Sequence, residues 1–156
     1  MVELKGDFFN KEEVRTHDSR LSYINTFLPK LVETAKEKTL GFKDHLVSID
    51  PHEVRCVEDL QKIPVLRKSE LANKQKLFPP FGGFERTEER KTTHFFQSPG
   101  PIYEPGTRGL DWGRFAPFLY ATGVRKGMVL QNCFSYHLTP AGMMFEEGAL
   151  KIGTKV

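Results

Sequence analysis

This sequence has little cysteine and no long apolar run, and these two features argue against several classes of protein. Only two cysteines occur among 156 residues, Cys56 and Cys133, and they have no CxxC spacing. This usage predicts neither a disulfide framework nor a zinc or redox motif, and it favours a reducing cytoplasm. No stretch approaches the roughly 20 apolar residues of a membrane span. The segment 1–9 carries charges and no apolar core, so we expect neither a signal peptide nor a membrane anchor.

Long runs of one charge are also missing. The formal net charge is +3 and the isoelectric point is near 8.8, with basic and acidic residues mixed throughout. Nucleic-acid binders concentrate positive charge on one face, so no nucleic-acid partner is expected. The five histidines have no HxxxH or HxH spacing, and neither a Walker A nor a GxSxG pattern occurs. We therefore predict no metal site and assign no catalytic residue to this chain.

The first half of the chain is predicted to be helical. Apolar residues recur at the i, i+3, i+4, i+7 spacing after Asp18, the expected N-cap, and Gly41 is the expected C′ glycine. The apolar stripe continues across Pro29, which favours one bent helix over two. Asp50 is predicted to cap a second, short helix, and Ser69 a third. Prolines and glycines in 77–84 then interrupt regular structure, so we place a helical segment at 1–84.

The second half has a different periodicity. It predicts a strand at 91–97, a Pro/Gly-rich loop, and a helix at 110–122 kinked at its proline. A buried strand at 128–134 follows. Thr139 is the expected N-cap of a helix that ends at Gly153, and a third strand begins at 154–156. This order is typical of a parallel βαβαβ unit with crossover helices, so 85–156 is predicted to be a partial α/β subdomain, truncated at the start of its third strand.

Two loops carry the candidate binding residues. Ser98 and Gly100 lie after a predicted strand and before a predicted helix, where α/β proteins bind phosphates through backbone N–H groups. A rigid connection is the alternative, because the three prolines at 99, 101 and 105 have no N–H. Tyr136 and His137 follow the next predicted strand, at the edge where open α/β sheets bind ligands. Their alternative role is to satisfy buried hydrogen bonds.

Glu146 and Glu147 are not predicted to act as an acid–base pair. Neighbouring residues of a helix do not share one face, so the two carboxylates are assigned to a solvated helix surface.

Several longer motifs, in order, resemble one family. The run 63–71 (IPVLRKSEL) is similar to the proline-led segment early in phenylacetate–CoA ligases. The runs 80–84 (PFGGF), 96–105 (FQSPGPIYEP) and 134–146, which contains TPAGM, resemble one branch of that family. The resemblance extends from about residue 15 to residue 156.

The resemblance implies an adenylate-forming enzyme that activates a carboxylate with ATP and magnesium and then transfers the acyl group to coenzyme A. It matches Ser98 and Gly100 to the nucleotide-binding loop that holds the pyrophosphate end of ATP. It matches Tyr136 and His137 to the region that lines the acyl pocket. The family's adenine and ribose motifs, its aromatic-Gly-x-Thr-Glu motif and its catalytic lysine are not found in these 156 residues.

We therefore expect an N-terminal fragment of an acid–CoA ligase, inactive alone, from an enzyme for an aryl acid such as phenylacetate. ATP, Mg²⁺ and coenzyme A would serve the intact enzyme, and none of them is assigned to this chain alone. The alternatives are a non-catalytic interaction module and one subunit of a split ligase. The expected partners are the remainder of the ligase or a second subunit, with the aromatic acid as substrate. An unpaired sheet edge at Thr154 also predicts a homo-oligomer.

Overall fold

The computed structural model describes residues 7–86, 92–109 and 111–156. These ranges contain five α-helices, three short 3-10 helices and two β-strands. None of the helices in these ranges is both long and apolar enough to cross a bilayer. Their contacts divide the chain into two compact units. The predicted boundary at residue 84 stays a prediction.

The helical unit, residues 16–86 with 100–103, begins with α1, His17–Lys38. Its N-cap is Thr16, whose Oγ1 accepts a hydrogen bond from Ser19 N at 3.2 Å, so the expectation of Asp18 as the cap is wrong. Asp18 instead lies in the first turn, where its charge suits the positive end of the helix dipole. The helix continues through Pro29, which confirms the prediction of one helix.

Helix α2, Leu40–His45, follows directly because Thr39 has extended backbone and caps it. The Thr39 Oγ1 atom accepts a hydrogen bond from Phe42 N at 3.2 Å. Gly41 lies inside α2, so its assignment as a C′ glycine is wrong. A Cβ at Gly41 would lie 2.8 Å from Phe84 Cδ1. The glycine is therefore needed for the close approach of Phe84, not for a left-handed turn.

Two 3-10 helices, Pro51–Glu53 and Val57–Lys62, lead to α3, Lys68–Leu77. Asp50 caps the first, as predicted, by accepting a hydrogen bond from the backbone two residues later. The N-cap of α3 is Arg67 and not Ser69, and no side-chain hydrogen bond caps this helix. The unit's buried core joins α1 to the segments that follow it. Its members are Leu28, Val32, Leu46 and Val54.

Strands β1, His94–Ser98, and β2, Ile102–Gly106, form a two-stranded sheet. Only three residues connect them, so the strands are antiparallel, since a parallel pair needs a long crossover. The prediction of an irregular loop after the first strand is therefore wrong, because that segment contains β2, whereas the helix predicted after it is present as Phe115–Ala121. Gly100 lies in the turn with φ +129°, a conformation that favours glycine. Pro105 is tolerated in β2 because both strands of a two-stranded sheet are edge strands. A residue whose backbone N faces away from the partner strand needs no N–H for the pairing.

The second unit, which contains 7–15, 92–99 and most of the chain after 104, includes α4, Phe115–Ala121. This helix begins later than predicted, and Leu110 lies outside the described residues. Asp111 and Arg114 have φ of +47° and +56°, so the backbone before Phe115 is not helical. Pro117 is consequently the third residue of α4, where its missing N–H costs no hydrogen bond and no kink is required.

Helix α5, Ala141–Ile152, has Pro140 as its N-cap instead of Thr139, and Gly153 ends it at φ +92°, as predicted. It packs closely on α4, since a Cβ at Gly148 would lie 2.6 Å from Phe115 Cβ. Four buried residues from the two helices form the core of this unit. They are Ala116, Leu119, Ala149 and Ile152.

The predicted strand at 128–134 is reduced to one isolated parallel bridge between Val129 and Lys155. Leu130 N donates to Lys155 O at 2.8 Å beside it. Val129 is 78% exposed, so the expectation of a buried strand is wrong here. The α/β class and the helical N-terminal segment are confirmed. The parallel pairing is confirmed for 129 with 155, whereas β1 pairs with the antiparallel β2.

The N-terminal segment of this unit contains a 3-10 helix, Lys11–Val14, and contacts the end of α4. Phe9 lies 5.7 Å from the Tyr120 ring, centroid to centroid. Asp7 accepts hydrogen bonds from the Tyr120 hydroxyl and from Arg125 Nε, the latter at 2.9 Å. The Arg125 guanidinium stacks 3.7 Å above the Tyr120 ring. The start of the described chain is thereby fixed to α4.

Candidate functional site

A cleft of about 420 Å³ opens on the second unit. Its size lies within the range of about 300–1,000 Å³ that is typical of small-molecule sites. Strand β1, the loop before α5 and α5 itself supply most of its lining, and the segment after β2 adds one cation. The lining residues are His94, Phe95, Phe96, Arg108, Tyr136, His137, Met143, Glu146 and Glu147.

The side formed by β1 is built on a stack of rings. His94 and Phe96 are two positions apart on the strand, so their side chains share one face of the sheet. Their rings are 5.8 Å apart and nearly parallel, and Trp112 stacks on Phe96 at 5.7 Å. Phe96 is only 2% exposed, which makes it the anchor of this side. The Thr93 hydroxyl lies 2.9 Å from His94 Nδ1, so His94 is also oriented by a hydrogen bond.

The loop before α5 forms another side of the cleft, and Asn132 holds this loop in place. Its Nδ2 donates to the Tyr136 hydroxyl at 2.7 Å and to Gly142 O at 2.8 Å. Its Oδ1 accepts a hydrogen bond from Phe134 N at 3.2 Å. A Cβ at Gly142 would lie 2.4 Å from Ser135 O, so the first turn of α5 lies directly against the loop. One side chain and one glycine therefore set the path of this loop.

The Tyr136 phenol is protonated at neutral pH. Burial raises its pKa above the usual value and the neighbouring Glu146 carboxylate raises it further, whereas the hydrogen bond from Asn132 lowers it. A protonated phenol is a hydrogen-bond donor and not a base. Tyr136 can therefore orient a ligand in the cleft, but it does not remove a proton.

Charged groups of both signs line the same cleft. Arg108 supplies a cation, and α5 supplies the half-buried Glu146 and Glu147. Glu147 Oε2 accepts a hydrogen bond from Gly109 N at 2.8 Å, which links α5 to the segment after β2. Both glutamates thus lie on a half-buried part of the helix surface that lines the cleft. Aromatic surfaces beside the Arg108 cation suit a small organic acid with a flat apolar body, whereas the two carboxylates disfavour an anion on their side of the cleft.

Comparison with known proteins identifies the relatives of this chain. No family model matches it. The phenylacetate-coenzyme A ligase of Thermus thermophilus is 30% identical over 138 aligned positions, and the match covers 83% of this chain and 30% of that ligase. The chain is phenylacetate–CoA ligase-like. It spans about a third of the length of the relatives it matches.

Solved structures agree on the fold. A crystal structure of 2-hydroxyisobutyryl-CoA ligase in the postadenylation state with R3-HIB-AMP has a TM-score of 0.87 at 17% identity, over 99% of this chain and 34% of that one. The structure with 2-HIB-AMP and CoA in the thioesterification state has a TM-score of 0.76 at 20% identity, over 90% and 31%. The phenylacetate–CoA ligase-like chain therefore has the fold of the N-terminal region of adenylate-forming CoA ligases.

The structure brings together only some of the residues singled out in the ligase-like sequence. Tyr136 and His137 both line the cleft, and their binding role stays a prediction. Ser98 ends β1, and Gly100 lies in the exposed turn of the hairpin; neither lines the cleft. The loop predicted after them contains β2, and the next helix, α4, begins only at Phe115, so no helix N-terminus follows them directly. Their nucleotide-binding role also stays a prediction.

Seven cleft residues were missed by reasoning on the ligase-like sequence. His94, Phe96 and Arg108 come from β1 and the segment after the hairpin, and their convergence depends on a reversal of the chain that was not predicted. The alternation of His94 and Phe96 along one strand is the signal that could have placed them on one face. Among the described residues, no three His, Cys, Asp or Glu side chains are grouped to hold a metal ion.

Proposed function

We propose that this chain supplies the acid-binding N-terminal region of an ATP-dependent acid–CoA ligase. The intact enzyme would convert a carboxylate to an acyl-adenylate and then to an acyl-CoA. The 138-residue match to the Thermus thermophilus ligase is the observation that carries this proposal. The 2-hydroxyisobutyryl-CoA ligase structures, which contain an acyl-AMP and CoA, support the order of the two steps.

The cleft supports an aromatic acid as the substrate. Its apolar lining consists of Phe95, Phe96, the Tyr136 ring and Met143, which suit the faces and edges of an aryl group. Arg108 and the two histidines offer donors to a carboxylate. We therefore propose phenylacetate, or a close aryl acid, as the ligand class for the cleft.

ATP, Mg²⁺ and CoA are assigned by this proposal to the intact enzyme. The residues of this chain fit a phosphate cradle poorly, because Pro99, Pro101 and Pro105 provide no backbone N–H around Ser98 and Gly100. We expect weak or no binding of ATP with Mg²⁺ to the isolated chain in titration calorimetry. Low-micromolar affinity, abolished by Gly100→Val, would contradict this expectation.

The remainder of the ligase, in the same polypeptide or as a second subunit, is the proposed partner. The two cysteines are unpaired, which suits a reducing cytoplasm as the proposed compartment. A non-catalytic interaction module is the competing function, and it predicts no ligase activity in any context.

The decisive assay measures acid-dependent release of pyrophosphate and formation of acyl-CoA. The chain is tested alone and together with the coding sequence that flanks it in its source genome, using phenylacetate, ATP, Mg²⁺ and CoA. We expect activity only in the second case. Turnover by the 156-residue chain alone would refute its dependence on a partner. No activity toward any of a panel of aryl and hydroxy acids in the flanked form would refute the ligase proposal.

A further inference from the structure

The orientation of the Asn132 amide is fixed by its backbone partners. Phe134 N is a donor, so the atom that meets it at 3.2 Å must be the oxygen Oδ1. Gly142 O is an acceptor, so the atom that meets it at 2.8 Å must be Nδ2. Both constraints agree on one orientation of the amide. The contact of 2.7 Å to Tyr136 is therefore an N–H that donates to the phenol oxygen.

Because the Tyr136 oxygen accepts this hydrogen bond, its hydroxyl can donate only in a direction away from Asn132. Asn132 occupies a lone pair of the phenol oxygen, so the O–H proton must be directed away from Asn132. The Glu146 carboxylate raises the pKa of Tyr136 as a neighbouring acceptor for this proton, and both groups line the cleft. Asn132 itself does not line the cleft. Its effect on a ligand would therefore pass through Tyr136.

The backbone beside Tyr136 is held against the first turn of α5. Gly142 N donates to Ser135 O at 3.1 Å, and a Cβ on Gly142 would come within 3.0 Å of Tyr136 Cδ2. The ring is thus placed by the first turn of α5, and the hydroxyl by Asn132. These two contacts determine where the ring edge and the donor proton stand in the cleft.

We propose that Asn132 is a positioning residue for the acid-binding cleft, because it holds the hydroxyl of Tyr136 in the orientation that a ligand meets. The statement about the ligand rests on the proposed function. The statement about Tyr136 does not, since it concerns the geometry of this chain alone. The two parts can therefore be tested separately.

The first test is the ionisation of Tyr136 in the 156-residue protein. Removing an N–H that donates to the phenol oxygen removes stabilisation of the phenolate, so Asn132→Leu is expected to raise the pKa of Tyr136. Absorbance at about 295 nm, where the phenolate absorbs, is titrated, and the Tyr136→Phe protein is subtracted to isolate this residue from the other three tyrosines. Asn73→Leu, an exposed change on α3, is the matched control and is expected to shift nothing. An unchanged titration in Asn132→Leu would overturn the proposal.

The second test is the affinity for phenylacetate, followed by NMR chemical shifts. Asn132→Leu is expected to weaken binding by about 5- to 20-fold, and Tyr136→Phe by at least as much, since it removes the hydroxyl that Asn132 positions. In the Tyr136→Phe background, Asn132→Leu is expected to cost clearly less, because its partner atom is gone. Equal losses in both backgrounds would show that Asn132 does not act through the hydroxyl, and would overturn the proposal.

Two outcomes are separated by this design. If the unmodified chain does not bind phenylacetate while the Tyr136 pKa responds to Asn132, the acid-binding function fails and the positioning contact stands. If Asn132→Leu does not fold, the unmodified protein is used. The side-chain NH₂ resonances of Asn132 should then move with the titration of Tyr136, and resonances that do not move would overturn the proposal.

Discussion

Gly106 and Phe96 are expected to be energetically coupled, and this coupling tests the packing on which one side of the cleft depends. A Cβ built on Gly106 would lie 2.3 Å from Phe96 Cε2 and 3.0 Å from Cδ2. Phe96 is 2% exposed and stacks on Trp112, so its ring cannot turn aside into solvent. Gly106→Ala should therefore destabilise the second unit by overpacking.

The magnitude follows from known costs of core substitutions. Overpacking typically costs about 1–3 kcal/mol. For a chain of this length, 1 kcal/mol corresponds to a shift in melting temperature of about 2–4 °C, so a loss of about 2 kcal/mol predicts a decrease of about 4–8 °C. Phe96→Leu alone should cost about 1–2 kcal/mol, because a smaller side chain leaves part of the ring's volume empty.

The double variant decides whether the contact is responsible. The methyl group added by Gly106→Ala would occupy space that Phe96→Leu leaves empty, so the combined loss should fall short of the sum of the single losses by at least about 1 kcal/mol. Urea unfolding followed by Trp112 fluorescence reports this unit, since the chain has one tryptophan. Phe95→Leu is the matched control on the same strand, where the side chain is 58% exposed, and it should change stability by under about 0.5 kcal/mol. Strict additivity of the two single losses would refute the packing argument.

Three further predictions concern other parts of the chain. Gln75→Leu should destabilise the helical unit by about 2–3 kcal/mol in urea unfolding followed by circular dichroism, because the buried Gln75 amide donates to Tyr103 O at 2.8 Å and accepts from Tyr103 N at 2.9 Å. Asn73→Ala is the exposed control, and an equal loss there would refute the reasoning. Lys62 and the N–H groups of Arg55 and Cys56 lower the pKa of Asp59, so its contribution should be present above about pH 4 and disappear as the pH falls further. Asp59→Asn should accordingly flatten the acid limb of the stability curve, and an unchanged limb would contradict this. A third measurement, light scattering at high micromolar concentration, should detect a dimer or larger oligomer, since the bridge at Val129 leaves apolar side chains exposed; a clean monomer would count against it.

Features that depend on residues within one helix could be predicted from the sequence. The apolar spacing through Pro29 predicted one helix, and Gly153 predicted the end of another, because each depends only on residues within a few turns. The caps were predicted less well. Thr16 replaces Asp18, since the sequence offers more than one acceptor there and does not say which one the first turn will use. Arg67 replaces Ser69 although its side chain offers no acceptor, so this start leaves no capping signal in the sequence.

The hairpin could not be derived from the same reasoning. The segment between β1 and the next helix was expected to be an irregular loop, yet residues 102–106 within it form β2. A proline-rich segment is compatible with both extended loop and edge strand, and the choice depends on what the backbone pairs with. Tyr103 is one such case, because the Gln75 side chain bonds to both its N and its O as another strand would. A partner 28 residues away in sequence leaves no local signal.

The same limit explains which half of the cleft was found. Tyr136 and His137 were identified because they follow a predicted strand, and that strand shrinks to a bridge in the structure. They nevertheless line the cleft, since Asn132 and the close contact at Gly142 fix their loop without any sheet neighbours. The loop is therefore positioned by side-chain hydrogen bonds and one glycine, and not by a strand ladder. It follows that substitutions at Asn132 or Gly142 should disturb ligand contacts more than substitutions at the exposed Val129, although Val129 lies in the one parallel bridge that remains of the predicted strand.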